Sequence, residues 1–343
     1  VLPAAIDKAV YVAISQRTDQ EVHLYATKYQ ESFKTHLSKI APSEKQWVNY
    51  ILGVVSDIHK LGHSFTGFNI LVSGDVPGGA GLSSSAALEC AVAFALNDIY
   101  VLNIEKIELA HIAQMAEHNF TGVMCGIMDQ FASLFGKKNH AIMLDCKTLA
   151  FRYIPVHLVG YKFVLFNTNV KHNLASSAYN DRRASCYKGV AWVKETNIEV
   201  NSLRDISLEM LDECVKNRDL DVYAKCKFVV EEIARLRLAC QDLEDNNLKS
   251  LGERMFETHT GLSEAYEVSC EELDFLVDQV KNNPDVLGAR MMGGGFGGCT
   301  INLVKEDAID LLSAKLKDAY LLKFGIELTT YEVIIEDGTG KIK

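Results

Sequence analysis

The chain has no CxxC pair; its nine cysteines are scattered and odd in number, which reads as free thiols in a reducing compartment and makes the cytoplasm the expected location. It has no apolar run long enough to cross a bilayer, because the longest candidate, around Ala86 to Leu96, is broken by Glu89, Asn97 and Asp98, so no membrane partner is expected. It has no basic stripe. With 35 Lys and Arg against 45 Asp and Glu, a formal net charge of −10 argues against nucleic acid as a partner and requires any phosphate site to be locally positive. No lysine precedes the serines of its glycine-rich run, so that run is not a Walker A loop. His59 and His63 stand four apart in HKLGH without the acidic residue of a zinc motif and read as surface histidines. Internal repeats, low-complexity tracts and a charged or apolar leader are also missing, and since the chain starts at Val1, a preceding segment is expected.

What is present describes an ordinary globular protein. A length of 343 residues predicts two domains, and 48% hydrophobic with 23% charged residues supplies a sizeable core.

The stretch Ser73 to Leu96, SGDVPGGAGLSSSAALECAVAFAL, organises the rest. Before it, Phe68, Ile70 and Val72 alternate with Asn69 and Ser73, the period of a strand, with Leu71 the exception. Pro77, Gly78 and Gly79 end that strand, and Ala86 to Leu96 predicts a mostly buried helix. In this strand, glycine-rich turn and helix start, the glycines allow close backbone approach, Ser83 to Ser85 add hydroxyls, and the helix N-terminus attracts anions. A polyphosphate fits there; a tight turn with an N-cap is the plainer use of such a run. Leu82 reads as the loop's anchor.

Elsewhere, Val10, Val12 and Ile14 predict a strand whose partner lies at a distance, or upstream of the chain. Ser43 and Gln46 form a capping box for a helix that carries Trp47, Tyr50, Ile51, Val54, Val55 and Ile58 on one face and stops at Gly62. Asn103 caps a second helix whose last turn holds Glu117, where a carboxylate opposes the dipole: a solvated surface residue, or a cation ligand. Asp129, between Met128 and Phe131 in an apolar neighbourhood, caps a helix or serves a site. A hairpin over 140–156, a strand from Gly160 and a helix carrying Tyr179, Arg182 and Arg183 follow; both arginines read as phosphate-facing or as ordinary surface charge. Helical periodicity dominates 206–283. The second glycine cluster formally contains GxGxxG at Gly293, Gly295 and Gly298, but CTINLV after it predicts a strand, so the dinucleotide reading fails and a flexible turn remains. ELTTYEVIIEDG holds a last strand.

Three motifs, PGGAGLSSSAALE (Pro77 to Glu89), CGIMDQ (Cys125 to Gln130) and GARMMGGGFGGC (Gly288 to Cys299), resemble those of the GHMP small-molecule kinases, and CGIMDQ with SSAYNDRR resembles the galactokinase family among them. The resemblance implies an α+β, two-domain fold with the active site in the cleft between domains, here 1–158 and 159–343, the C-terminal strand returning towards the first. It implies transfer of the ATP γ-phosphoryl to the C1 hydroxyl of galactose. Ser85 and Glu117 would hold Mg²⁺, and Gly79, Ala80, Gly81, Leu82, Ser83 and Ser84 would wrap the phosphates. Trp47 would border the adenine, Asp129 would be the base, Gly126 and Tyr179 would touch the sugar, and Gly293, Gly294 and Gly295 would form the third-motif loop. Such chemistry asks for positioning, charge neutralisation and one acceptor of the hydroxyl proton.

Galactokinases carry a segment resembling GRVNLIGEHTDY just ahead of the part that VLPAAI resembles. Its contacts fall on no residue of this sequence, so the expected site is incomplete and the reading allows for a chain inactive as given. An N-acetylgalactosamine kinase and a non-catalytic sensor of ATP and galactose are the alternatives. A monomer is expected.

Overall fold

The computed structural model describes residues 1–171 and 175–342. The chain divides into two compact units: Val1–Gly78, Leu82–Pro155 and Ile334–Lys343 form the first, Gly79–Gly81 and Val156–Val333 the second. Relative to a single cut at 158/159, the loop tip sorts with the second unit and the tail with the first. The last strand does not itself return, because it pairs within the second unit. The segment after it returns: Ile335 bridges to Ile6, and the Thr339 N–H donates to the Ser133 carbonyl.

In the first unit, β1 (Val10–Gln16), β2 (Glu21–Ala26), β3 (Glu31–His36) and β4 (Phe68–Gly74) form one sheet in the order β1-β4-β2-β3. The partner of β1 is β4, antiparallel from Val10 opposite Gly74 to Gln16 opposite Phe68, and not a strand upstream. Phe68 and Ile70 point into the core while Leu71 is exposed, as the alternation predicts. Helices α1 (Gln46–Lys60), α2 (Ser84–Ile99) and α3 (Lys106–Ala116) share a core with this sheet, α1 burying Val48, Ile51, Leu52, Val54, Val55 and Ile58. Burying one such side chain stabilises by about 1.5–3 kcal/mol.

Three local expectations fail. Lys45, not Ser43, is the N-cap of α1; the Ser43 hydroxyl accepts from the Lys45 N–H while its backbone is clamped by the Asn49 side chain. Asn103 turns back onto the Val101 carbonyl, and Glu105 takes the cap position of α3. His59 is half-buried against Phe65, ring centroids 4.7 Å apart. In the first two cases a backbone group two residues away takes the side chain in place of the helix end. After α3 come α4 (Met128–Phe135), β5 (His140–Leu144) and β6 (Phe151–Pro155); the last two form the expected hairpin, and Phe131 packs on Ile142 and Leu144.

The second unit holds β7 (Tyr161–Lys171), α5 (Ala175–Lys194), α6 (Leu208–Cys214), α7 (Leu220–Glu244), α8 (Leu248–Thr260), α9 (Glu271–Val280), β8 (Val286–Met291), β9 (Gly297–Lys305), α10 (Ile309–Phe324) and β10 (Thr329–Val333). Its sheet, in the order β10-β7-β9-β8, is antiparallel throughout. Val164 and Phe166 of β7 share a core with Leu276 and Val280 of α9 and with Leu316 and Tyr320 of α10. The Tyr320 hydroxyl, carried into that core, donates to the Thr168 carbonyl at 2.9 Å.

Helix α8 lies against β8 backbone to backbone. A Cβ on Gly252 would stand 2.1 Å from the Leu287 carbonyl oxygen, and one on Gly288 2.4 Å from the Gly252 Cα. Only glycine at both positions permits this approach, which fixes the strand leading into the second glycine cluster. Gly288→Ala forces the two elements apart and is predicted to cost about 1–3 kcal/mol, read as a lower urea midpoint with an unchanged m-value.

Candidate active site

Beyond Gly74 the chain turns through Val76 and Ala80, both buried, and these pin the loop; Leu82 is only half-buried. Gly79 and Gly81 have φ of 79° and 74°, and the space a Cβ would take at either is open, so their backbone is presented with nothing in front of it. Ser83 takes the same left-handed conformation, φ 53° and ψ 49°, at the N-cap of α2. For a non-glycine residue this costs roughly 1–2 kcal/mol. Its side chain does not cap the helix. It donates to Asp129 Oδ2 at 2.5 Å, so the hydroxyl is turned to a carboxylate. Backbone strain held in this way marks a site under constraint.

Asp129 is the second residue of α4, in its first turn, where the dipole favours a carboxylate. Burial pushes its carboxyl above the ordinary range, and the Ser83 hydroxyl pulls it part of the way back. Gly126 lies exposed in the turn just before, again with open space beside it.

Glu117 stands where α3 gives way to a single wider π turn, Glu117–Thr121, closed by Gly122 at φ 75°. It is buried, not a solvated surface residue. Its Oε1 accepts from the Ser85 hydroxyl at 3.1 Å, and its Oε2 accepts from the Gln130 amide at 3.1 Å and the Cys125 thiol at 3.5 Å. Burial raises its pKa and the negative charge of Asp129 adds to that, while the Ser85, Cys125 and Gln130 hydrogen bonds oppose the rise. Burial and the Glu117 charge push the Cys125 thiol up to about 12, so it stays a donor. The carboxylates of Glu117 and Asp129 thus face the first turn of α2 from two elements, one meeting Ser85 and the other Ser83.

Trp47 joins a different group: its indole N–H donates to Glu31 Oε2 at 3.1 Å, which also pairs with Lys45 at 2.9 Å, and its ring lies 6.4 Å from that of Tyr29. The side chain of Tyr179 lies outside the described residues. Arg182 donates to the Tyr266 and Glu267 carbonyls, at 2.8 and 3.2 Å, and Arg183 to the Tyr187 hydroxyl at 2.8 Å, so both arginines make intramolecular contacts. In the second unit, Gly293, Gly294 and Gly295 form the turn between β8 and β9, closed by the Met292 N–H on the Cys299 carbonyl. A strand follows it, as the failed dinucleotide reading requires. Gly298 approaches Ala80, a Cβ there standing 3.4 Å from the Ala80 carbonyl oxygen, so the two glycine-rich segments meet by their backbones.

Three residues escape sequence reasoning. Gln130 and Glu89 sit behind Glu117; Glu89 lies four residues after Ser85 and so on the same face of α2, a signal the sequence does contain. Burial and the charge of Glu117 push Glu89 up to about 9, so at neutral pH it is uncharged. The Lys28 ammonium stands 3.5 Å from where a Cβ on Gly78 would be, placing a cation against the loop. Nothing local in the sequence marks it.

The family model described as GHMP kinases N terminal domain matches residues 49–137, and the one described as GHMP kinases C terminal matches 239–321. Galactokinase from Thermotoga petrophila is 40% identical over 342 residues, covering 100% of this chain and 94% of its own length. The chain belongs to the galactokinase family. A solved structure of Lactococcus lactis galactokinase complexed with galactose has a TM-score of 0.94 and 33% identity, covering 99% of this chain and 89% of that one. Methanococcus jannaschii mevalonate kinase, at TM-score 0.67 and 19% identity over 97% of this chain and 90% of its own, shares the fold. Membership of the galactokinase family makes this protein a sugar kinase, with ATP as a substrate. Among the described residues no helix is long and apolar enough to cross a membrane.

Ser83→Gly removes the hydroxyl without adding backbone strain. The Asp129 carboxyl is then predicted to titrate at higher pH than in the parent, followed by its side-chain carbon chemical shift; an unchanged or lower midpoint would show that Ser83 does not stabilise the ionised form.

Proposed function

We propose that this protein phosphorylates the C1 hydroxyl of α-D-galactose with ATP, and that Asp129 is its base. The observation that carries this assignment is the Asp129 carboxylate, half-buried and held by a serine hydroxyl at the end of a loop whose backbone is open to a phosphate chain. A base must accept the sugar proton as the oxygen attacks, and a carboxyl raised by burial is better matched to that task than one free in water. Asp129 holds that proton once the new bond has formed.

Gly79 to Ser84 would take the phosphates through backbone N–H groups and the Ser84 hydroxyl, with Ser83 kept for Asp129. The first turn of α2 and the Lys28 ammonium add positive potential where a Walker A lysine is missing. Among the described residues no group of three or more His, Cys, Asp or Glu is placed to hold a metal ion. The hydroxyl and carboxylate of Ser85 and Glu117, 3.1 Å apart, are instead the hard oxygen donors that suit Mg²⁺, which takes one or two protein groups and shares the nucleotide's phosphates. When bound, Mg²⁺ offsets the charge of the phosphate oxygens. Gly126 and Tyr179 would border the sugar, Trp47 the adenine, and Gly293 to Gly295 would form the third-motif loop.

The deciding experiment is ADP release with ATP and Mg²⁺, comparing galactose, N-acetylgalactosamine and no sugar. Galactose-dependent turnover is expected. Faster kcat/KM on N-acetylgalactosamine would change the substrate, and saturable galactose binding without ADP would make the protein a sensor. Asp129→Asn is predicted to lower kcat by roughly 10²-fold or more with the fold intact by circular dichroism. Glu117→Ala is predicted to raise the Mg²⁺ concentration needed for half-maximal turnover; an unchanged requirement would move the metal to other residues. Because only ionised Asp129 accepts a proton, kcat/KM should fall as pH drops through its raised pKa, and in Ser83→Gly that acid limb should move to higher pH.

A further inference from the structure

Behind Glu117 lies a layer of polar groups that the phosphoryl-transfer reading does not use. Gln130 and Glu89 are 1% and 0% exposed, and they face each other across α4 and α2. The Gln130 amide nitrogen donates to Glu89 Oε2 at 3.3 Å and to Glu117 Oε2 at 3.1 Å. An amide has two N–H bonds, and its two nearest acceptors here are these carboxyl oxygens, with the Cys125 sulfur a longer third contact at 3.7 Å.

The other oxygens of this layer, Glu89 Oε1 and Gln130 Oε1, find no hydrogen-bond partner among the described residues. Burying groups so poorly satisfied is costly, and an apolar pair of similar shape would serve the core better. The acid therefore has work other than packing. If the Gln130 amide turned over, its oxygen would face the Glu117 carboxylate, acceptor against acceptor. By taking the second N–H, Glu89 holds the amide in the orientation that Glu117 needs. Glu117 Oε2 is thereby committed to the rear, and Oε1 is left towards Ser85.

We propose that Glu89, acting through the Gln130 amide, is a positioning residue that keeps the Glu117 carboxylate turned towards Ser85 to receive the divalent cation. This rests on the reading of Glu117 and Ser85 as the cation's ligands. Partners standing behind a ligand in this way commonly set metal affinity by 10- to 100-fold.

The test measures Mn²⁺ binding to the full chain in the presence of ADP, from the paramagnetic resonance of free Mn²⁺, with the galactose Kd by calorimetry and the Tm measured alongside. Glu89→Leu and Gln130→Leu should each weaken Mn²⁺ binding by about tenfold while the galactose Kd stays at the parent value. Glu89→Gln, which keeps an oxygen acceptor for the amide, should restore most of the affinity, a rescue that a packing role alone does not predict. Glu117→Gln separates the two levels of argument. If it weakens Mn²⁺ binding and Glu89→Leu does not, the positioning role is wrong and the ligand stands. If Glu117→Gln leaves Mn²⁺ binding at the parent value, the ligand reading fails and the inference falls with it. Should Glu89→Leu not fold, Gln130→Leu decides by the same comparison.

Discussion

Keeping negative charge away from water is the constraint on which this site depends. Two carboxylates, those of Asp129 and Glu117, and the uncharged carboxyl of Glu89 gather around the first turns of α2, whose residues from Ala86 to Leu96 are otherwise apolar and mostly buried. Among the described residues no lysine or arginine is drawn into that group. The donors that meet it are neutral: two serine hydroxyls, one amide and one thiol. Neutral donors orient a carboxylate without cancelling its charge, so the charge remains available to a cation or a proton arriving from outside. The arrangement sacrifices stability locally and is carried by the large apolar core of α1, α2, α3 and the sheet.

The parts of the fold written in short-range pattern were legible. Alternation at Phe68, Ile70 and Val72 gave β4, the glycines gave its end, and the apolar run after Ser85 gave α2. The hairpin of β5 and β6 and the strand after the second glycine cluster were equally local. Strands β2 and β3 left a fainter mark, since only Val22, Leu24 and Ala26 are buried and much of the rest is exposed polar surface. At the site, Asp129 announced itself as an acid among apolar neighbours, and Glu117 as a carboxylate at the wrong end of a helix. Glu89 did the opposite: it read as the polar break that keeps an apolar run from being too long, whereas it is fully buried. Its partner Gln130 lies in another helix, and a pairing between helices leaves no period in the sequence. The misplaced caps at Ser43 and Asn103 failed likewise, because each side chain found a backbone partner closer than the helix end.

The glycine turn of the second unit is supported from behind by side chains. His59 plays no part in this, but His259, buried, accepts the Met291 N–H on Nδ1 at 3.1 Å and turns Nε2 to Asp274 at 3.2 Å. Asp274 also accepts from Ser263 and Ser269, and the Phe296 N–H is held by the Val268 carbonyl. Gly293 and Gly294 remain exposed at the crest of this support. A loop with little steric restriction of its own is thus fixed at both feet, at Met291 by the α8–β8 contact and His259, and at Phe296 by the Val268 carbonyl. The placement of this turn comes from what surrounds the glycines rather than from the glycines themselves.

The return of the tail sets an order for biosynthesis. Ile334 and Glu336 lie beside Ala5 and Asp7, the Lys138 ammonium pairs with Glu336, and the Gly338 N–H bonds to the Gly136 carbonyl. On the ribosome the first unit emerges early yet lacks these contacts until residues past Ile334 have left the exit tunnel. The second unit, continuous from Val156 to Val333 apart from three loop residues, has nearly all of its own chain by then. At an elongation rate of about 5–20 residues per second, the first unit spends on the order of ten seconds or more with an unsealed edge. The contacts that the tail makes with the first unit can therefore form only after the second unit has been translated.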